Sequence, residues 1–263
     1  MESEMTSTDQ TSSMLNKVPA VTLAFWVIKI AATTVGETGG DALSMTLNLG
    51  YLVSTYIFAG IFLVVLAGQL AARRFHPFLY WAVIVATTTT GTTISDYLDR
   101  DAGLGYPRAS ALLFAGVLLS LGLWRLTTGS VSVSRITTRR AEFFYWMTIL
   151  ISNTLGTALG DFTADSIDAG FEGGALIFGA MLVVIAALYF FTKLNRAFLF
   201  WSAFVLTRPL GATLGDILTK PVNHGGLNLD RITSSLVIAA FMIVCILFTR
   251  QRSEQGPTLE AAT

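Results

Sequence analysis

The spacing W-x9-G-x4-D-x8-G occurs four times in this chain, with no gap inside any unit. The first unit carries Trp26, Gly36, Asp41 and Gly50, and the second Trp81, Gly91, Asp96 and Gly105. The third carries Trp146, Gly156, Asp161 and Gly170, and the fourth Trp201, Gly211, Asp216 and Gly225. Self-similarity at such a period marks one structural unit used four times, which rules out most folds at once.

What the unit is follows from how apolar the chain is. Of 263 residues, 53% are hydrophobic and only 13% are charged, with a mean hydropathy of +0.63. That is the composition of a membrane protein. A bilayer-spanning helix needs about 20 mostly apolar residues. Eight segments qualify: 19–44, 51–71, 78–99, 108–127, 142–165, 173–192, 197–219 and 230–249. Pro19 suits a helix start and Pro221 a stop. The expected fold is all-α and integral to the membrane: eight transmembrane helices as four tandem parallel two-helix repeats, with the motif helices inside.

The tryptophans are 55, 65 and 55 residues apart. The ten extra residues fall in a polar stretch, 128–140, expected to be a cytoplasmic linker between repeats one and two (18–127) and repeats three and four (141–250). Residues 1–17 and 251–263 are polar and are expected to be tails. No cleavable signal peptide is expected.

Basic loop residues orient a membrane protein. Lys17, Arg73, Arg74, Arg125, Arg135, Arg139, Arg140, Lys193, Arg196, Arg250 and Arg252 lie at the termini or between repeats. Only Arg100, Arg108, Lys220 and Arg231 lie within repeats. This bias, eleven against four, predicts both termini in the cytoplasm. Acidic residues, Asp99, Asp101, Asp165, Asp168, Glu172 and Asp230 among them, gather toward the other side, where an acidic mouth concentrates cations.

At 100° per residue, positions +3, +7, +10, +11, +14 and +15 from each tryptophan share a stripe roughly 140° wide. Small residues at +10 and +14, glycine at all but Ser95, suit close helix approach in lipid. Polar residues at membrane depth face the bundle interior. The four motif helices are therefore expected to face one another around a polar slot. Its layers are Lys29, Ile84, Ile149 and Phe204; then Thr33, Thr88, Asn153 and Arg208; then Glu37, Thr92, Thr157 and Ala212. A ring of Asp41, Asp96, Asp161 and Asp216 ends the stripe, about 22 Å from the tryptophans at 1.5 Å per residue. Arg208 and Glu37, one turn apart, are expected to pair, with Lys29 joining them or snorkelling toward the cytoplasm.

Two readings of the aspartates stay open. An aspartate near a helix end can cap the following turn and need no ligand. Alternatively, four carboxylates at one level repel unless protonated, paired or bridged by a cation, and oxygen-rich clusters suit Mg²⁺, Ca²⁺, Mn²⁺ or protons. The tryptophans, with Phe25, Tyr80, Tyr145 and Phe200 beside them, read as interfacial anchors at the cytoplasmic boundary, or else as a gate. His76 and His224 are expected in solvated loops. The lone Cys245 excludes a disulfide framework and a cysteine metal cluster.

Four tandem two-helix repeats, each with a tryptophan, resemble a bacterial multi-pass membrane-protein family of unknown function, over about 18–250. The resemblance implies a bacterial cytoplasmic-membrane protein and carries no biochemistry. Protease, hydrolase and P-loop motifs are missing from the sequence, so the protein is not expected to be an enzyme. No cofactor is expected, and the neutral net charge gives no reason to expect nucleic acid. The expected partners are the lipid bilayer and a small ion or solute. The expected function is a transporter for a cation, divalent or proton-coupled, using the aspartates and Glu37. The alternative is a non-transporting sensor or scaffold whose stripe is only a packing core.

Overall fold

The computed structural model describes residues 16–167, 169–249 and 251–253; Asp168, Arg250 and most of both tails lie outside them. Among the described residues there are eight long α-helices and no β-strand. The motif helices are α1 (Leu23–Asp41), α3 (Pro77–Asp96), α5 (Arg139–Asp161) and α7 (Arg196–Thr219). Between and after them come α2 (Gly50–Ala71), α4 (Tyr106–Thr128), α6 (Gly170–Phe191) and α8 (Arg231–Phe248).

Local chemistry sets the boundaries. Thr22, Thr138 and Asn195 cap α1, α5 and α7, each side chain accepting from backbone N–H groups of the first turn. Pro77 opens α3, where its missing N–H costs nothing. The first helix starts four residues later than Pro19 suggests, because Thr22 provides the cap and Pro19 instead forms an isolated bridge with Ser253. In the first three units the helix widens just after the motif aspartate into a π-turn, at Ala42–Thr46, Tyr97–Asp101 and Phe162–Ser166. The fourth unit has no such turn and ends at Thr219, ahead of Pro221. The last glycine of each motif has positive φ: 75° at Gly50, 71° at Gly105, 65° at Gly170 and 82° at Gly225. A side chain disfavours that conformation, so these four glycines are there to reverse the chain.

Five helices, α2, α4, α6, α7 and α8, are long and apolar enough to cross a membrane. The chain is a helical multi-pass membrane protein. The remaining three, α1, α3 and α5, carry the charged and threonine-rich stretches and are the most buried. Charge and hydroxyl groups are costly against lipid, so these helices rely on the others to shield them.

The motif helices form a closed ring in which α1 packs on α3, α3 on α5, α5 on α7 and α7 on α1. Each outer helix lies mainly on the next unit's motif helix: α2 on α3, α4 on α5, α6 on α7, and α8 back on α1. A repeat is therefore not a self-contained hairpin. It completes its burial only on its neighbour, and the ring closes only when the last helix reaches the first, as interlocked repeats require.

The contacts between motif helices repeat in register. The +10 glycine of each unit receives the +7 side chain of the next: Gly36 takes Thr88, Gly91 takes Asn153, Gly156 takes Arg208 and Gly211 takes Thr33. One turn on, Gly40 takes Thr92, Gly160 takes Ala212 and Gly215 takes Glu37. At the other end of the helices an aromatic ring obeys the same rule. Phe25 meets Trp81 at 5.5 Å, Tyr80 meets Trp146 at 5.5 Å, Tyr145 meets Trp201 at 6.1 Å and Phe200 meets Trp26 at 5.7 Å between ring centroids. Such pairs add about 0.5–1.5 kcal/mol each beyond area burial. The tryptophans are thus not lipid-facing anchors. Trp81, Trp146 and Trp201 are at most 4% exposed and Trp26 is half-buried, because each indole fills the joint between two units.

Candidate functional site

Above the aromatic ring the bundle interior holds three charged layers. In the lowest, Lys29 is fully buried and does not snorkel. Its Nζ donates to Asn153 Oδ1 at 3.2 Å and lies 4.2 Å from the Phe204 ring centroid. Asn153 Nδ2 donates onward to Thr87 Oγ1 at 2.9 Å. Among the described residues no carboxylate forms an ion pair with Lys29.

The middle layer centres on Arg208, also fully buried. Its Nη2 lies 2.9 Å from Glu37 Oε2 and 2.6 Å from Thr157 Oγ1, and donates to Thr92 Oγ1 as well. One guanidinium from α7 thereby touches α1, α3 and α5. Arg208 Nε and Nη1 have no hydrogen-bond partner among the described residues. Pro209 follows within the helix and packs against the Gly156 notch, so the arginine is aimed inward by its own helix and by its neighbour's.

The outer layer is not one ring of four equivalent carboxylates. Lys220 Nζ bridges Asp41 at 2.7 Å and Asp216 at 3.2 Å, and Arg231 Nε is 3.6 Å from Asp41. Across the bundle, Arg100 Nη2 bridges Asp161 at 3.2 Å and Asp96 at 3.6 Å. The repulsion between like charges is relieved by Lys220 and Arg100, each joining adjacent units, with Arg231 as a third cation beside Asp41. Lys220 is held well above its ordinary pKa: burial works against the charge, and the carboxylates of Asp216 and Asp41 outweigh it. Among the described residues Asp41, Asp96 and Asp161 make no side-chain cap to the π-turn that follows each.

Among the described residues one group of carboxylates joins the middle layer to the outer. Carboxylate oxygens of Glu37, Asp41 and Asp216 lie within 4.8 Å of one another, and all three residues are at most 3% exposed. Asp41 Oδ1 has no hydrogen-bond partner among the described residues. Asp96 and Asp161 stand apart from this cluster as a separate pair with Arg100. Thr33 and Thr88 do not face an opening: their hydroxyls bond backbone carbonyls of their own and neighbouring helices while their side chains fill glycine notches. Thr92 and Thr157 meet Arg208, and Asn153 meets Lys29.

From the sequence Arg100 and Lys220 read only as loop charges. The signal was there in part, since each follows its motif aspartate by four residues, one helical turn. Only units two and four have a base at that position, which is why each base serves a second unit as well.

Residues 24–75, 79–130, 144–195 and 199–253 each match the Repeat of Unknown Function (DUF347). The chain belongs to this family. In this DUF347 protein each matched segment contains a motif helix and the outer helix that follows it. No curated protein and no solved structure is significantly similar to it.

Proposed function

We propose that this protein is a transporter for a cation, either a proton coupled to a solute or a divalent metal, and that Glu37, Asp41 and Asp216 form its cation site. The observation that carries this reading is the buried three-carboxylate cluster between α1 and α7. Three carboxylates in so small a volume need positive charge. In this conformation Arg208 supplies it to Glu37 and Arg231 lies beside Asp41, while the Lys220 ammonium joins Asp41 and Asp216 from the rim, 14% exposed and within reach of solvent. An arriving cation or proton would replace it, releasing Lys220 toward the outer mouth. Proteoliposome flux across pH, with Mn²⁺ and Mg²⁺ uptake measured separately, tests this. Asp41→Asn and Asp216→Asn are expected to reduce flux to background while leaving a folded, inserted protein. Wild-type flux in both would remove the site. A protein that moves neither protons nor divalent ions when reconstituted would remove the transporter reading.

A second reading, a non-transporting scaffold, is favoured by the two cation bridges, which pair the aspartates with side-chain charges of the chain itself. Under it the same Asp→Asn changes lower stability and leave no flux to lose.

The reading includes a topology of eight spans, motif helices parallel and termini cytoplasmic, in a bacterial inner membrane. The register of Gly36 with Thr88 and Gly40 with Thr92 supports the parallel arrangement, and the basic residues of the inter-repeat loops support the orientation. Single cysteines at Met45, Ala102, Glu172 and Asn223, in a Cys245→Ser background, are expected to label from the outside. Any one labelled only from the inside breaks the parallel-repeat topology.

A further inference from the structure

Among the described residues the polar linker is a joint that has no counterpart in the other repeats. The other two joints between repeats are short, Ala72–His76 and Thr192–Asn195, yet this one runs from Gly129 to Thr138 and is ordered. It is fastened to the aromatic end of the bundle. Trp201 Nε1 donates to Val131 O at 2.9 Å, Asn16 Nδ2 donates to Val133 O at 3.2 Å, and Val133 and Ile136 are buried in the core.

So anchored, the linker faces the α6–α7 joint across an open surface depression of about 550 Å³, with Arg135, Lys193 and Arg196 on its exposed rim. Three hydroxyls, Ser130, Ser132 and Ser134, and three cationic side chains, Arg135, Lys193 and Arg196, line it, and no acidic residue does. The first N–H groups of α7 open onto the same wall, two of them already held by Asn195. Arg196 is stacked on Tyr189, 4.3 Å from the ring centroid, and its Nη1 donates to Tyr189 O, so its guanidinium is held at the α6 edge of the depression. Hydroxyls and cations gathered on one surface without a carboxylate are the chemistry that holds a phosphate. Beside the depression the surface turns apolar: Phe190, Phe191 and Leu126 are 76%, 87% and 83% exposed, at the ends of the two helices that lead into it.

We propose that this depression binds the phosphate headgroup of an anionic phospholipid, with the acyl chains lying along Phe190, Phe191 and Leu126. A polar phosphate site opening onto exposed aromatic and aliphatic surface matches a lipid better than a free anion, which has no use for that surface. The proposal does not depend on the transport reading.

Native mass spectrometry of the detergent-purified protein with dimyristoyl phosphatidylglycerol or dimyristoyl phosphatidylcholine tests it. Wild type is expected to retain the glycerol lipid in preference to the choline lipid. Arg135→Gln with Lys193→Gln is expected to weaken that retention by about tenfold or more, as losing two cations near an anionic headgroup implies. Arg73→Gln with Arg74→Gln removes the same charge from an exposed joint at the same end of the bundle and is expected to change it little. Ser130→Ala with Ser132→Ala, which leaves the charge unaltered, is expected to give an intermediate loss. Equal loss in both arginine-containing double variants would reduce the effect to general electrostatics and overturn the site. Displacement of the lipid by millimolar inorganic phosphate would make it a free-phosphate site and overturn the lipid assignment. No preference between the two lipids in wild type would overturn it as well.

Discussion

Glu37→Gln and Arg208→Gln are each expected to cost about 3–5 kcal/mol of stability, and the double variant less than either, because removing one partner strands the other's charge in the bundle interior. The pair is 2.9 Å apart, with side chains 3% and 0% exposed, so solvent cannot compensate. Arg208 is the more sensitive position. Besides Glu37 it holds the hydroxyls of Thr92 and Thr157, and its loss unties three helices at once. Glu37→Gln leaves a cationic Arg208 in the same interior as Lys29, with no carboxylate between them. Thermal unfolding of the three variants in detergent, followed by size-exclusion profile, measures the coupling. Additive damage in the double variant would show that the two charges do not depend on each other.

Gly156→Leu and Gly211→Leu are expected to abolish the folded protein. A Cβ at Gly211 would sit 2.6 Å from Thr33 Cβ and 3.0 Å from the Thr33 backbone carbonyl carbon. One at Gly156 would run into the Arg208 side chain and lie 3.0 Å from Pro209 Cδ. Overpacking typically costs about 1–3 kcal/mol, and more where backbone rather than a side-chain tip must move. The ring magnifies the effect, since moving one joint displaces the register of the next. Gly60→Leu and Gly179→Leu give the control. Both are helical glycines with nothing within 4 Å, on α2 and α6, and both are expected to accumulate like wild type. Equal loss of folded protein from the two pairs would contradict the notch packing.

The two sets of variants separate the two uses of the inward stripe. Gly36, Gly91, Gly156 and Gly211 set the distance between helices. Lys29, Glu37, Arg208 and the aspartates set the charge inside. Asp41 and Asp216 belong to the second set, and their proposed role in transport rests on charge alone, with asparagine preserving shape.

Much of this was legible in the sequence, because period and spacing act locally. Four matches to one motif required four equivalent units. A 100° turn per residue put Trp26, Gly36 and Asp41 on one face. Small residues four apart identified the contact face, and the one-turn offset between Arg208 and Glu37 was enough to expect their pairing. What only the tertiary structure decided is which unit each face meets. Spacing along one helix is silent on the offset between neighbours, and that offset seats Thr33 in the notch of Gly211 and Arg208 in that of Gly156. The same offset moved the tryptophans from the lipid boundary into the joints, and placed α2 on α3 rather than on its own partner. It also divided the four aspartates. They are equivalent in the repeat, but Arg100 and Lys220 occur in alternate units, so closing the ring makes two bridged pairs. Only one of those pairs comes within reach of Glu37, because only the first unit carries an acid one turn below its aspartate. Equivalence belongs to the repeat; the inequivalence that makes a site comes from the few positions at which the repeats differ, brought together by closure.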